Sequence, residues 1–303
     1  MNAPIRAQVI AMPHVTTDDG VRLYYEEAGS GYPIVFVHEF AGDWRSYETQ
    51  LRFFSRRYRC IAFNARGYPP SDAPEDWTRY SQERARDDIR DVLDGLGLAK
   101  AHVVGISMGG FAVLHFGFAY PDRASALVVA GCGYGAQPDK RQQFQEETAR
   151  TAAQIEQKGM GEVSKTYGAG PTRVQYLNKD PRGYAEFLAQ LAEHSTKGSA
   201  NTMRGVQGRR PSLWELIEQM KRLEVPTLIA SGDEDDPCLE PGILMKRMIP
   251  SAALVVFPNT GHALNIEEPD LFNQALADFF HQVESSRWPR RDPRSVTGSI
   301  LGM

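Results

Sequence analysis

The pentapeptide Gly105-Ile106-Ser107-Met108-Gly109 constrains the fold of this chain more than any other stretch. It follows the β-branched pair Val103-Val104 and leads into the apolar run Phe111 to Phe118, so a buried strand enters and a helix leaves. Between them Ser107 has to occupy a very tight turn. Glycine on both flanks is what such a turn demands, because a Cβ at either position would crowd the chain on the other side. Composition alone yields Gly-x-Ser-x-Gly in about one chain in ten of this length, so the strand before it and the helix after it carry the weight. That helix begins directly beneath Ser107, and its free N–H groups and positive dipole end favour an anion there.

Strands and helices alternate on both sides of this turn. Asp18-Asp19-Gly20 between Val15–Thr17 and Val21–Tyr25 signals a hairpin. The continuous apolar run Ile34 to Val37, ending at His38, reads as a parallel strand buried on both faces. A helix near Ser46–Ser55, a strand over Arg59–Phe63 and a helix carrying Ile89, Val92, Leu93 and Leu96 on one face precede the turn. After it come a strand over Ala126–Ala130 and then, from Gln137 to Pro211, a stretch with no β run and pieces of helix at Gln142–Gln157 and Tyr184–His194. A structureless loop of that length is uncommon in a compact domain, so it reads as an inserted helical lid. Alternation resumes after Ser212 with strands at Thr227–Ala230 and Ala253–Phe257 and helices at Pro241–Met248 and Pro269–Val283. The pattern predicts an α/β fold with a doubly wound, mostly parallel sheet and right-handed crossovers. Its expected divisions are a core of residues 14–136 and 212–284, a helical cap of 137–211, and flexible termini at 1–13 and 285–303.

Composition narrows the function. With 42% hydrophobic residues and a net charge of −4, a chain of 303 residues gives no electrostatic reason to bind nucleic acid. It has no apolar run of membrane-spanning or signal-peptide length, so no membrane partner and a cytoplasmic location are expected. Cys60, Cys132 and Cys238 form no C-x-x-C and cannot all pair, which favours buried thiols over disulfides or a zinc site. Neither a metal nor a cofactor is called for, and association into a homo-oligomer stays open.

A serine hydroxyl is a weak nucleophile at neutral pH and needs a histidine base, which in turn needs an orienting carboxylate. Both occur at later strand ends. Gly232-Asp233-Glu234-Asp235-Asp236 follows one strand, and Asn259-Thr260-Gly261-His262 follows the next. The order Ser, acid, His suits this topology. Together with His38 at a strand end, these motifs resemble the α/β-hydrolase superfamily over roughly Val15 to Val283, with most likeness to its capped esterases, lactonases, carbon–carbon hydrolases and cofactor-free haloperoxidases or perhydrolases. The resemblance implies an eight-stranded sheet with Ser107 as nucleophile, His262 as base and then acid, and Asp235 as the orienting carboxylate, with Asp236 its alternative. It also implies an oxyanion hole from the N–H groups of Met108 and Phe40, with His38, Glu39 and Arg66 behind them. A small-molecule ester is the expected substrate; an enol-lactone, a carbon–carbon bond or perhydrolysis would use the same triad. A slow-turnover ligand receptor on this scaffold is the reading from another class.

The chain departs from the superfamily pattern twice, with Glu39 after the His38 strand and with Asn64-Ala65-Arg66-Gly67-Tyr68-Pro69-Pro70-Ser71 in place of the familiar Asp-x-Arg-Gly-x-Gly-x-Ser turn. Glu39 stands where the superfamily usually has glycine, and a carboxylate about 5 Å from an oxyanion would cost roughly 3 kcal/mol at an effective dielectric near 20. Arg66, in the neighbouring turn Asn64 to Ser71, is the expected ion-pair partner that turns Glu39 away. The lid carries twelve Lys or Arg against eight Asp or Glu, and such a basic cover would concentrate substrates bearing a free carboxylate. Tyr134, Phe144, Tyr167, Tyr176, Phe187 and Trp214 are candidates either for a pocket beneath it or for the lid's own core.

Overall fold

The structure, a computed structural model, describes residues 12–296, so the leader expected before Met12 and the last residues of the tail lie outside the described residues. Strands β1 (His14–Thr16), β2 (Arg22–Ala28), β3 (Tyr32–Val37), β4 (Tyr58–Phe63), β5 (Ala101–Ile106), β6 (Ala124–Ala130), β7 (Thr227–Gly232) and β8 (Ala252–Phe257) form one eight-stranded sheet. Its order is β1-β2-β4-β3-β5-β6-β7-β8. The hairpin strands pair antiparallel, with Val15 opposite Leu23, and β3 to β8 are parallel. Gly20 makes the hairpin turn at φ +83°, a conformation that costs glycine little.

Period-two alternation divides the central strands between two cores. Val35, Val37, Ile61, Phe63, Val103, Leu127 and Val129 face one layer, with α2 (Gln82–Gly95) and α3 (Met108–Ala119) packed on it. Ile34, Phe36, Cys60, Ala62, Val104 and Val128 face the other, under α1 (Glu48–Phe54) and α12 (Pro269–Glu284). Both faces are covered, which is why these strands are apolar throughout instead of alternating with polar residues. Pro269 opens α12, where its missing N–H has no intrahelical partner to lose.

Between β6 and β7 the chain forms α4 (Arg141–Lys158), α5 (Met160–Tyr167), α6 (Val174–Lys179), α7 (Pro181–Ala192), α8 (Thr196–Thr202) and α9 (Ile217–Arg222). A turn of π-helix at Met203–Gln207 follows α8. Ala152, Ile155, Val163, Tyr184, Phe187 and Leu191 from this segment share a core with Phe40, Tyr68 and Met108, so α4, α5 and α7 pack on the turns that follow β3, β4 and β5.

Two elements differ from the sequence expectation. Helix α10 spans Asp236–Met248 and begins five residues before Pro241, because Pro237 falls in its first turn and serves as the helix start. The tail after Ser285, expected to be solvated, folds back in its described part. Trp288 donates Nε1–H to Ser251 O at 2.7 Å and meets Phe279 edge-on, with centroids 4.6 Å apart, while Arg291 caps the C-terminal carbonyls of Lys246 and Arg247 on α10. A cation at a helix C-terminus is favourable. Trp288→Ala should therefore destabilise the fold by about 2 kcal/mol, lowering Tm by several degrees; thermal unfolding followed by circular dichroism checks this, and an unchanged Tm would return the tail to solvent.

Candidate active site

The backbone of the Ser107 turn is set by close approach. A Cβ on Gly109 would lie 2.1 Å from Val37 O and 2.8 Å from His38 O, and one on Gly105 would lie 2.3 Å from Gly109 O. Neither position admits another residue. Ser107 itself sits at φ 53°, ψ −116°, a strained conformation for a residue with a side chain. Its N–H is fixed to Ala130 O at 2.8 Å and its carbonyl starts α3 by accepting from Phe111 N–H at 3.0 Å.

His262 and Asp235 arrive from the next strand ends. The carboxylate Oδ2 of Asp235 accepts from His262 Nδ1 at 2.7 Å, with both groups buried. This holds Nδ1 as the protonated nitrogen and leaves Nε2 free for another partner. Burial pushes the Asp235 carboxyl up, but the adjacent His262 and a hydrogen bond from Cys238 outweigh it and hold the acid below its usual range. The neighbouring acids do other work: Asp233 accepts from Thr260 N–H at 3.0 Å, Glu234 accepts from Gln175, and Asp236 is exposed at the start of α10. The His262 loop is held from both sides, by Glu267 accepting the Gly261 N–H with both oxygens at 3.0 Å and by Thr172 O accepting the His262 N–H at 3.0 Å.

Ser107, Asp235 and His262 line one cavity of about 230 Å³. Tyr134, Phe144 and Tyr167 line it too, as expected. Tyr176 and Phe187 take the other expected place, in the helical segment's own core, and Trp214 packs instead on the core of the sheet. A larger depression of about 580 Å³, between α1 and α12, shares no residue with the cavity. Asp235, Cys238 and His262 place donor atoms within 4.8 Å of one another. The set suits a metal poorly, since His262 Nδ1 is committed to Asp235 and burial raises the Cys238 thiol well above its ordinary value, withholding the thiolate.

Phe40 and Met108 lie in one cluster, and Met108, as the first residue of α3, has an N–H with no intrahelical acceptor. The Phe40 peptide is braced by Tyr68 Oη–H donating to its carbonyl at 3.0 Å. His38 is buried and its pKa is lowered by burial, so it is neutral. Its Nδ1–H donates to Glu39 O at 2.7 Å while Nε2 accepts from Ala65 N–H at 3.0 Å, which ties the turn after β3 to the turn after β4.

The expected Glu39–Arg66 pair does not form. The strands ending at His38 and Phe63 are neighbours, but Arg66 points toward the hairpin and α2, where all five of its N–H donors are used. Two go to Asp88 (2.8 and 2.7 Å), two to Asp19 (2.9 and 2.9 Å) and one to Arg79 O (2.8 Å). With two carboxylates already in place, it has no donor for a third. Glu39 is taken instead by Arg173, from the helical segment, in a buried bidentate pair whose Nη1–Oε1 contact is 2.9 Å. Burial opposes ionisation of Glu39, and the Arg173 guanidinium overrides it, holding the acid below its ordinary value. Sequence reading had one usable signal for Arg173: a carboxylate at a buried strand end requires a cation.

These geometries sit in a known family. The chain belongs to the alpha/beta hydrolase fold family, which matches residues 32–269, and it is a hydrolase of that family. It is similar to a Bacillus subtilis protein with the provisional name 2-succinyl-6-hydroxy-2,4-cyclohexadiene-1-carboxylate synthase, at 28% identity over 89% of this chain and 98% of that one. It is likewise similar to the 2-hydroxy-6-oxononadienedioate/2-hydroxy-6-oxononatrienedioate hydrolase of Comamonas testosteroni, at 28% identity over 85% of this chain and 91% of the relative. Among solved structures, a thermophilic esterase from Thermogutta terrifontis superposes with a TM-score of 0.79 at 24% identity, over 90% of this chain and 98% of that chain, and supports the fold. Among the described residues no helix is long and apolar enough to cross a membrane.

The Glu39–Arg173 pair generates a pH prediction. Because the folded-state pKa of Glu39 is depressed, the stability it contributes is present above its ordinary value of 4.5 and is lost as pH falls through the lower folded value. Arg173→Met leaves a buried carboxylate alone and should cost about 3–5 kcal/mol at pH 7, whereas Glu39→Gln with Arg173→Met should recover most of that loss. Urea unfolding at pH 7 and pH 4 checks both. Additive single-mutant effects, or a double mutant as acid-labile as wild type, would refute the pairing.

Proposed function

We propose that the protein is a serine hydrolase that cleaves a carboxylic ester of a small to medium substrate through an acyl-enzyme on Ser107. The observation that carries this reading is the buried 2.7 Å contact of Asp235 with His262 Nδ1, on the wall of the same cavity as a strained Ser107. His262 Nε2 takes the Ser107 proton as Oγ attacks the ester carbonyl, and the N–H groups of Met108 and Phe40 receive the oxyanion. The imidazolium, steadied by Asp235, then protonates the departing alkoxide. Water activated by the same nitrogen releases the acid and restores Ser107. In this reading the segment that carries α4–α8 acts as a cap: Thr172 and Arg173, in the turn between α5 and α6, meet the His262 and Glu39 loops and tie the cap to both. The substrate needs no cofactor in this scheme.

Carbon–carbon bond hydrolysis is the second reading, and the Comamonas relative's name supports it. A screen of alkyl esters beside dienoic ketones separates the two by kcat/KM. Within either reading Ser107→Ala and His262→Ala should each lower kcat by about 10⁴-fold or more, with the double variant scarcely worse, because the residues act as a unit. Asp235→Asn should cost about 10³–10⁴-fold, while Asp236→Asn stays near wild type. Steady-state kinetics on p-nitrophenyl butyrate checks the series; an Asp236→Asn variant more impaired than Asp235→Asn would reassign the acid.

A further inference from the structure

Among the described residues three arginines are buried to 4% exposure or less: Arg66, Arg173 and Arg210. A buried cation is costly unless a carboxylate or a full set of acceptors compensates it. Arg66 has two carboxylates and Arg173 has one. Arg210 has none within 4.0 Å among the described residues, although it lines the cavity that holds Ser107 and His262. Nη1 donates to Gln207 Oε1 and Nη2 to Tyr134 O at 2.5 Å, while Nε has no acceptor. Two of its five N–H donors are therefore used. Its guanidinium lies over two aromatic rings, 3.9 Å from the Phe111 centroid and 4.9 Å from that of Phe144, contacts that hold it without supplying an anion. Burial pushes its pKa down to about 10, so the cation persists at neutral pH.

The remaining charged groups on the cavity wall are committed or turned away. Asp235 belongs to His262, and the Arg173 charge is cancelled by Glu39. Glu147 accepts from Tyr134 Oη–H at 3.1 Å and from Gln143. Arg141, which donates to the Arg210 carbonyl, adds a second positive charge nearby. Arg210 and Ser107 line the same cavity of about 230 Å³, so a short substrate chain held by the guanidinium can present its carbonyl to the nucleophile.

We propose that Arg210 is a specificity-determining residue that receives a carboxylate on the substrate, placed a few bonds from the carbonyl that Ser107 attacks, so that the preferred substrates are half-esters of short dicarboxylic acids. The inference rests on the ester-hydrolysis reading above and names its substrate class. A planar guanidinium with spare donors accepts a carboxylate through two parallel hydrogen bonds, and excluded water strengthens both. A neutral diester of the same length leaves the cation uncompensated.

Proton-release kinetics with monomethyl glutarate and dimethyl glutarate test this, alongside calorimetric binding of glutarate, which needs no turnover. Wild type should favour the half-ester by at least tenfold in kcat/KM. Arg210→Gln should lose about 100-fold on the half-ester, mainly through KM, and stay within about threefold on the diester. Arg210→Lys, which keeps the charge and loses the fork, should fall between them and serves if the glutamine variant does not fold. Glutarate should bind wild type at least tenfold more tightly than Arg210→Gln. Equal losses on both esters, equal impairment by Lys and Gln, or glutarate binding indifferent to Arg210 would overturn the anchor, even with ester turnover intact. Glutarate binding that depends on Arg210 without cleavage of either ester would instead sink the ester reading and uphold the anchor.

Discussion

The site depends on a contact between two backbones. The turn through Gly105, Ser107 and Gly109 is pressed against the carbonyls of Val37 and His38 so closely that a side-chain carbon at Gly109 would sit 2.1 Å from an oxygen. That contact forces Ser107 to φ 53° and sets the first N–H of α3 beside the loop that carries Phe40. Strain of this sort persists only where the surroundings over-determine it, and here a fully buried parallel sheet on both sides supplies that rigidity. Asp235 and His262 come from the ends of β7 and β8, further along the same sheet, and line the same cavity as the serine.

A second constraint links the helical segment to the loops that carry Glu39 and His262. Glu39 puts a buried carboxylate in the turn after β3, and the cost of burying it is met by Arg173 of the helical segment. The residue beside it, Thr172, accepts the His262 backbone N–H. One short stretch of the helical segment therefore touches both the loop of the proposed oxyanion donor and the loop of the proposed base. Loss of the pair would act on both of these loops together, whereas the Arg66 network, fully satisfied by Asp19, Asp88 and Arg79, stabilises the far side of the turn after β4.

Much of this was legible from residue order. The glycine spacing around Ser107, apolar runs ending at His38 and Phe257, and the acid and histidine after later strands placed the three triad candidates, because strand ends in a parallel sheet share one edge. Resemblance alone favours Asp235 over Asp236, and the sequence leaves both open, since adjacent acids in a turn differ only in the direction each side chain takes; in the structure it is Asp235 that meets His262 Nδ1, while Asp236 is exposed. The Glu39–Arg173 pair spans 134 positions and joins a strand end to a segment without regular periodicity. No spacing rule reaches that far. Arg66 was placed in the right loop but given the wrong partner, because two aspartates on α2 and the hairpin turn were nearer than the strand order alone suggests. Arg210 carries no sequence signal at all; its interest comes from a missing partner, which only coordinates reveal.

The central claim, that Ser107 is the nucleophile of an acyl transfer, is tested most directly by trapping the intermediate. The protein is quenched in acid during turnover of p-nitrophenyl butyrate, digested, and its peptides weighed by mass spectrometry. The account predicts a butyryl adduct on the peptide containing Ser107, one per chain at most, and none in the Ser107→Ala protein. Turnover that continues in Ser107→Ala, or an adduct carried on another residue, would contradict it.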